Sequence, residues 1–178
     1  MPGLDTLNVL IAEDSRRMRM VLRSLLEGFG FRHLCEARDG NAAFRHMCDR
    51  YVDLAFLNWS MGGLEGDQLT RLIRTHPAVM NPYCTIIMVS GHWRPQQVAR
   101  ARNSGVNTFL AKPFSASTLR NHLRFVFDDM RPFIRHRFYV GPDRRWGKAR
   151  PYGGLARRAS DHEAARERLS AASSAISP

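Results

Sequence analysis

The stretch Asn8-Val9-Leu10-Ile11-Ala12-Glu13-Asp14 decides the fold, because a short apolar run leads directly into two carboxylates. Such a run, rich in aliphatic residues and bounded by polar ones, is typical of a buried strand in a parallel sheet, and it predicts a strand at residues 8–12. Ser15 is a suitable N-cap for a helix over residues 16–27, which Gly28 closes. The apolar residues that we expect on the inner side of this helix are Met20, Val21 and Leu25.

The same alternation of strand and helix continues along the chain. Further strands are predicted at residues 32–36, 54–57, 85–90 and 108–111. Further helices are predicted at residues 40–50, 67–75, 96–104 and 115–130. Five strands that each precede a helix predict an α/β fold, a doubly wound parallel (βα)₅ sheet with helices on both faces.

The pattern changes after Met130, where Arg131-Pro132 interrupts the last helix. We expect three regions: a domain over residues 1–130, an arginine-rich segment over 131–158 and a flexible tail over 159–178. The segment reads as largely disordered, because arginine, glycine and proline dominate it and it offers little to build a core. In the tail, Ser160 and Glu163 form a capping box that favours one short helix.

Composition narrows the class of protein. The chain has 178 residues, no long apolar run and no pattern of a signal peptide, so we expect a cytoplasmic protein that does not enter the membrane. Its three cysteines are too few and too scattered for a disulfide framework or a zinc site, and we expect them to be buried, reduced thiols. The formal net charge is +11, and residues 131–178 hold 11 basic and 4 acidic residues, which favours an anionic partner.

Polar residues follow four of the predicted strands. Because the carboxyl ends of parallel strands meet at one edge of the sheet, these side chains should converge on one pocket. Two carboxylates beside a hydroxyl and an ammonium suit phosphoryl transfer with Mg²⁺. The residues in question are Glu13, Asp14, Asn58, Ser90 and Lys112.

Residues 8–130 resemble the CheY-like receiver domains of bacterial response regulators. The resemblance is carried by the stretches Val9-Leu-Ile-Ala-Glu13-Asp14-Ser15, Asp53-Leu-Ala-Phe-Leu-Asn58-Trp-Ser-Met61, Met88-Val-Ser90-Gly-His92 and Phe109-Leu-Ala-Lys112-Pro113-Phe114. It implies the flavodoxin-like (βα)₅ fold and a role in two-component signalling. It also implies an acidic metal pocket at Glu13 and Asp14, a switch formed by Ser90 and Phe109, and Lys112 before a cis proline.

One position departs from the pattern of the family. The phosphoacceptor aspartate of receivers falls at Asn58, whose amide is not a nucleophile toward a phosphoryl donor. Asp53 cannot replace it, because it lies at the opposite end of the same strand. We therefore expect neither phosphorylation nor enzymatic activity, and we expect no bound Mg²⁺ at the vestigial pair Glu13 and Asp14. A residual metal site stays open beside a purely structural polar network, and so does the switch state that Asn58 favours.

The arginine-rich segment interleaves basic residues with Tyr139, Trp146 and Tyr152. Guanidinium planes and aromatic rings stack on nucleobases, and arginine binds phosphates and the edge of guanine in a bidentate manner. Asp143 can accept the hydrogens of the other guanine edge. A ligand with two guanines and two phosphates fits this combination.

The segment is similar to the arginine-rich extension of the Cle family, which are CheY-like cyclic di-GMP effectors. This resemblance rests on Tyr139-Val-Gly-Pro-Asp-Arg-Arg145 and a downstream Ala156-Arg-Arg158. It implies that cyclic di-GMP binds to a tail that becomes ordered around it. The ligand binds either as a single molecule or as a stacked dimer. The resemblance also implies docking at the flagellar motor switch and recruitment to the flagellated pole. The ligand-binding residues that we predict are Arg137, Tyr139, Asp143, Arg144, Arg145, Trp146, Arg157 and Arg158.

Two other functions remain open at the level of sequence. A ligand-independent pseudo-receiver could act as an adaptor through its fourth helix, fifth strand and fifth helix. The basic tail could instead bind nucleic acid without a folded motif. A membrane-bound amphipathic helix through the segment is not expected, because Pro132, Pro142 and Pro151 interrupt it.

Overall fold

The computed structural model describes residues 3–91, 94–129, 131–137, 139–144, 159–173 and 176. After a single 3₁₀ turn at Leu4–Thr6, five strands form one parallel sheet in the order β2-β1-β3-β4-β5. These strands are β1 (Asn8–Ala12), β2 (His33–Ala37), β3 (Leu54–Asn58), β4 (Thr85–Ser90) and β5 (Thr108–Ala111). The helices between and after them are α1 (Arg16–Phe29), α2 (Gly40–Asp49), α3 (Gly66–Thr75), α4 (Pro95–Ser104) and α5 (Ala116–Phe127).

The sheet is covered on both faces, as the doubly wound topology requires, and the predicted fold class is confirmed. Side chains alternate between two cores along β1, β3 and β4, because successive residues of a strand point to opposite faces. One core packs Ile11, Phe56 and Ile87 against residues of α1 and α5. The other packs Leu10, Leu57 and Met88 against residues of α2, α3 and α4.

Helix α1 begins as predicted but buries a different side. The Ser15 hydroxyl accepts a hydrogen bond from the Met18 amide at 3.3 Å. Met20 and Val21 are 59% and 45% exposed, whereas Leu22 and Leu26 are buried. The prediction is therefore confirmed for Leu25, which packs against the core, and wrong for Met20 and Val21, because apolar side chains occupy two neighbouring stripes of this helix and only tertiary packing selects one.

Two smaller predictions are also corrected. The residue that ends α1 is Gly30, not Gly28, since Gly30 takes the left-handed conformation at φ 105° that glycine tolerates best. Of the three cysteines, which were all expected to be buried, Cys84 is buried, Cys48 is half-buried and Cys35 is exposed on the edge strand β2, so the expectation is wrong for Cys35 and only partly met for Cys48. All three thiols are free.

A β-hairpin follows the five-stranded domain where irregular chain was expected. It consists of β6 (Phe133–His136) and β7 (Tyr139–Pro142), which pair antiparallel. The Phe133 ring meets the Tyr83 ring edge-on at 5.6 Å and lies 4.8 Å from the guanidinium of Arg74. The expectation of a largely disordered segment is thus corrected for these residues, because their packing partners come from distant parts of the chain.

The hairpin also contacts the turn between α4 and β5. Gly105 has φ 101°, and a Cβ at this position would lie only 2.3 Å from the carbonyl oxygen of Val140. Arg131, which precedes the hairpin, donates to the carbonyl oxygen of Asn107 at 2.9 Å. The hairpin therefore docks on the edge of the sheet where the strands begin.

A sixth helix, α6 (Ala159–Ser173), packs against α5. Leu169, Ala172 and Ile176 are buried in the same core as α1 and α5. Arg168 Nε donates to Asp53 Oδ1 at 2.7 Å, and the Asp53 side chain is fully buried. The sequence predicted a short helix in a flexible tail, whereas the helix has 15 residues and completes the core.

In the part of the chain that the structure describes, no helix is both long enough and apolar enough to span a membrane.

Candidate functional site

The carboxyl ends of β1, β3, β4 and β5 form a cleft of about 520 Å³. The structure brings together here five residues that the sequence analysis assigned to one pocket: Glu13, Asp14, Asn58, Ser90 and Lys112. Each follows or ends a strand, so the parallel register places them at one edge. Two carboxylates, an ammonium and a hydroxyl line the cleft together with Trp59.

Asn58, the last residue of β3, is the centre of this cleft. Its Nδ2 donates to Asp14 Oδ1 at 2.9 Å, to Glu13 Oε1 at 3.2 Å and to the carbonyl oxygen of Ser60 at 2.7 Å. Its Oδ1 accepts from Lys112 Nζ at 3.2 Å. A single amide thus satisfies two carboxylates and one ammonium, which a carboxylate at the same position could not do because it has no hydrogens to donate.

Lys112 connects the opposite side of the cleft to β1. Its Nζ donates to Glu13 Oε2 at 2.5 Å, and its backbone amide donates to the carbonyl oxygen of Ser90 at 2.8 Å. The peptide bond between Lys112 and Pro113 is cis, as the resemblance implied. Lys112 is therefore held by both its side chain and its backbone at the end of β5.

The two carboxylates differ in their proton affinity. Burial raises the pKa of Glu13, and the hydrogen bond and charge of Lys112 only partly offset this. Burial also pushes the pKa of Asp14 upward, but hydrogen bonds from Glu13, from Asn58 and from backbone amides outweigh it, so the pKa of Asp14 is lowered. The pair is arranged for Glu13 to take a proton before Asp14 does.

The receiver family implies Mg²⁺ in this cleft, but the residues as arranged do not fit the ion. The amide hydrogens of Asn58 point at Glu13 and Asp14, and Lys112 occupies the second oxygen of Glu13. Magnesium prefers an octahedron of oxygen ligands, and a hydrogen-bond donor would face it here. Within the described ranges, no group of three or more histidine, cysteine or acidic side chains could hold a metal.

The two predicted switch residues lie on neighbouring strands. Ser90 is buried at the end of β4, whereas Phe109 is half-buried in β5 and packs against the core shared by α2, α3 and α4. In the register of these strands Phe109 pairs with Met88, and Ser90 pairs with Ala111. Along the strand direction, Phe109 therefore lies two residues further from the cleft than Ser90.

Sequence reasoning missed five residues that line the cleft: Trp59, Ser60, Gly91, Arg94 and Gln97. Trp59 is buried, and the Arg100 guanidinium lies 5.4 Å from its ring while pairing with buried Asp67 at 3.0 Å. The position of Trp59 directly after Asn58 is a signal that could have identified it. Arg94 and Gln97 belong to the start of α4, and only the folded structure shows that this helix reaches the cleft.

Asp53 lies at the other edge of the sheet, away from the cleft. Its Oδ2 accepts from the Asn8 amide at 2.9 Å, and its Oδ1 accepts from Arg168. It is a structural link between the start of β1, the start of β3 and α6.

The structure describes half of the predicted ligand-binding residues. Arg137 lies in the exposed turn of the hairpin, and the Arg144 guanidinium stacks 4.2 Å from the Tyr139 ring centre and bonds Asn103. Asp143 is only 7% exposed, and its amide donates to the carbonyl oxygen of Pro132 at 2.8 Å. The other four, Arg145, Trp146, Arg157 and Arg158, lie outside the described residues.

Tyr139 is fixed by its own turn. Its hydroxyl donates to the carbonyl oxygen of Pro142 at 2.7 Å, and burial raises its pKa. The stacked pair of Tyr139 and Arg144 thus forms a fixed aromatic and cationic surface on β7. Because the hairpin docks where the strands begin, this surface is separated from the cleft by the full length of the sheet.

Comparison with known proteins places these features in context. Residues 9–124 match the family model of the response regulator receiver domain. The chain is 29% identical over 122 residues to the chemotaxis protein CheY of Pseudomonas aeruginosa, a match that covers 68% of this chain and 97% of that protein. It is 30% identical over 122 residues to the chemotaxis protein CheY-3 of Vibrio cholerae, covering 68% of this chain and 92% of that protein.

Solved structures of receiver domains also superpose on this chain. The receiver domain of the sensor histidine kinase PA1611 from Pseudomonas aeruginosa, crystallised with a magnesium ion in its active-site cleft, superposes with a TM-score of 0.60 at 26% identity, covering 66% of this chain and 94% of that one. Vibrio cholerae CheY4 superposes with a TM-score of 0.62 at 22% identity, covering 67% and 98%, and shows the shared fold.

Proposed function

The chain belongs to the response regulator receiver domain family, and we propose that it is a CheY-like signalling protein that responds to cyclic di-GMP instead of phosphorylation. The observation that carries the proposal is Asn58, together with the aromatic and cationic surface of Tyr139 and Arg144. The first feature replaces the input of the family. The second feature supplies a surface that can receive a different input signal, the binding of a nucleotide.

Phosphoryl transfer needs a nucleophilic carboxylate at the end of β3 and a metal beside it. Asn58 supplies an amide instead, and this amide holds Glu13, Asp14 and Lys112 in one neutralising network. The family's magnesium is consequently absent from the proposed mechanism, and the protein is not an enzyme. The cleft acts as a fixed structural element.

Binding of the cyclic dinucleotide is assigned to the hairpin and the arginine-rich residues after it. Arg144, stacked on Tyr139, presents a cationic plane on which a guanine base can stack. Arg137, exposed in the turn, can reach a phosphate. Asp143 is buried, so reading a guanine edge with it requires a rearrangement that exposes its carboxylate.

The output of the proposed function is contact with a protein partner, for which the flagellar motor switch is the candidate. The relatives that the chain matches are chemotaxis proteins, and the resemblance to CheY-like effectors points to the same class of partner. Ligand binding at the hairpin would present the receiver surface and the gathered segment together as one face. A cytoplasmic location at the flagellated pole follows from this role.

Calorimetric titration of cyclic di-GMP into the full-length protein tests the proposal. We expect saturable binding at low salt, weakened about tenfold by Arg144→Gln, since stacking of a guanidinium on an aromatic ring contributes up to about 2 kcal/mol and glutamine lacks the cationic plane. Arg17→Gln, which removes an equally exposed charge at the start of α1, should leave the affinity unchanged. Absence of saturable binding by the unmodified protein would reject the proposal and favour the ligand-independent adaptor.

The same titration at several salt concentrations distinguishes binding of cyclic di-GMP from the remaining alternative, which is binding of nucleic acid by the basic tail. A dinucleotide releases counterions from about two phosphates, whereas an oligonucleotide that neutralises about six charges loses affinity much more steeply with salt. We expect the shallow dependence for cyclic di-GMP and only weak, steeply salt-dependent binding of single-stranded DNA. Tight binding of DNA alone would assign the basic tail to nucleic acid.

A further inference from the structure

A second cavity lies at the edge of the sheet where the strands begin, between the end of α3, the chain before β4 and the hairpin. Its volume is about 540 Å³, within the range of small-molecule sites. Two tyrosines, a histidine and two arginines contribute to its wall, namely Tyr51, Tyr83, His76, Arg74 and Arg135. Among the residues that the structure describes, no acidic side chain lines it.

Arg74 gives this cavity an uncompensated positive charge. Its guanidinium is 2% exposed and donates to the carbonyl oxygens of Gly105, Pro82 and Cys84 and to Asn107 Oδ1, at 2.7–3.2 Å. All of these acceptors are neutral, and among the described residues Arg74 forms no ion pair. Burial lowers its pKa, as expected for a cation without an anion nearby.

A buried cation that is paired only with neutral dipoles leaves its field unopposed in the space beside it. The cavity adds two polar groups at its exposed rim. Arg135 reaches the cavity from β6, opposite Val140 in the hairpin register, and is exposed. His76 Nδ1 accepts a hydrogen bond from the Ala78 amide at 3.2 Å, so the neutral imidazole carries its proton on Nε2 and can donate it.

Aromatic surface completes the wall. Tyr51 and Tyr83 both line the cavity, and Tyr83 is held by its edge-on contact with Phe133 of the hairpin. Tyrosine rings contribute flat apolar area with few degrees of freedom, which suits stacking on a planar ring. The cavity therefore combines a cationic rim with an aromatic side, and its charge selects against cations.

We infer that this cavity binds a phosphorylated planar ligand of the nucleoside monophosphate class, with the phosphate at Arg135 and His76 and the ring against the tyrosines. The site is distinct from the surface of Tyr139 and Arg144 and does not depend on the function proposed above. Because Arg135 belongs to the hairpin and the other residues to the five-stranded domain, a bound ligand joins the two. Occupancy then stabilises the docked hairpin.

The test is a heteronuclear NMR titration of the full-length protein with GMP, with inorganic phosphate and with guanosine. We expect GMP to shift the amides of Thr75, Tyr83 and Arg135, with an affinity at least about tenfold above that of phosphate or guanosine alone. Arg135→Gln should weaken GMP binding about tenfold, because it removes a charge-assisted hydrogen bond. The matched control Arg17→Gln should leave it unchanged.

Three results would overturn the inference. The first is no saturable shift with GMP, and the second is a shift confined to residues outside the cavity. The third is phosphate binding as tightly as GMP, which would remove the planar ring from the assignment. The two proposals stay distinguishable because Arg135→Gln should spare cyclic di-GMP binding at the Arg144 surface, whereas Arg144→Gln should spare GMP binding in the cavity.

Discussion

At the scale of single residues, Asn58 shows how one amide replaces an ionic arrangement. Its nitrogen donates to Glu13, Asp14 and the carbonyl oxygen of Ser60 while its oxygen accepts from Lys112, so every neighbour finds a complementary partner. Aspartate at this position would keep the size of the side chain and lose both hydrogens. Three carboxylates would then meet within hydrogen-bond distance, and only Lys112 would oppose them.

The variant Asn58→Asp should therefore be less stable without divalent ions, by about 1–3 kcal/mol. Millimolar Mg²⁺ should restore the loss, because three carboxylates form a site for a hard cation that the native residues do not offer. Urea denaturation with and without MgCl₂ measures both effects. Asn121→Asp on the exposed side of α5 serves as the control and should respond to neither, whereas an unaltered stability of Asn58→Asp would contradict the network described here.

Glu13 predicts a pH dependence of known sign. Its pKa is raised from 4.5 in the folded state, so its contribution to stability is present below that pH and is lost as the pH rises through the folded pKa. Glu13→Gln removes this loss, although it also weakens the contact with Lys112 at every pH. The unfolding free energy of the variant minus that of the native protein should increase between about pH 4 and pH 7.

Chemical denaturation at several pH values measures this difference. Glu163→Gln, which replaces an exposed acid of α6, is the matched control. A difference for Glu13→Gln that falls as the pH rises would mean that Lys112, and not burial, dominates the environment of this carboxyl.

At the scale of elements, α6 is the part of the chain where the structure differs most from the sequence-based expectation. Leu169 is 5% exposed and lies in the core with α1 and α5. Leu169→Ala should destabilise the whole domain by about 2–4 kcal/mol, as for other buried leucines. Ser170→Ala, one residue later and exposed, should change stability little. An unchanged urea midpoint for Leu169→Ala would mean that α6 does not pack against the core.

Elements with a strong local pattern could be predicted from the sequence. The bounds of β1, β4 and β5 agree with the predicted runs, because aliphatic and β-branched residues end there at polar ones. The hairpin could not be predicted, since Phe133 is held by Tyr83 and Arg74, which lie 50 or more positions earlier in the chain. The buried side of α1 was missed for the same reason, because the choice between Met20 and Leu22 is made by the sheet.

The candidate site divides in the same way. The position of Glu13, Asn58 and Lys112 at strand ends predicted their convergence, since topology alone brings those ends together. The direction of the Asn58 amide and the burial of Asp143 depend on side-chain packing, which leaves no local signal. Arg74 is an extreme case, because an arginine near the end of an amphipathic helix reads as exposed until the hairpin covers it.

At the scale of the whole molecule, the two surfaces of interest lie at opposite edges of one sheet. The cleft of Asn58 lies at the carboxyl ends of the strands, whereas Tyr83, Asn107 and the hairpin that they contact lie where the strands begin. Changes at sites that share no partner usually combine additively. The hairpin, in contrast, carries Tyr139 of the proposed ligand surface and contacts the five-stranded domain directly through Phe133.

This arrangement predicts which changes reach the proposed cyclic di-GMP site. Asn58→Asp with saturating Mg²⁺ should alter the affinity for cyclic di-GMP by less than about threefold, because a coupling free energy requires an element that both sites bias. Phe133→Ala should weaken it by about fivefold or more, since the hairpin that carries Tyr139 and Arg144 loses its contacts with Tyr83 and Arg74. Phe125→Ala, which removes a phenylalanine that is 55% exposed on α5, is the matched control. Calorimetry of the three variants measures the effects, and an equal loss in Asn58→Asp and Phe133→Ala would show instead that the cleft and the hairpin switch together as one unit.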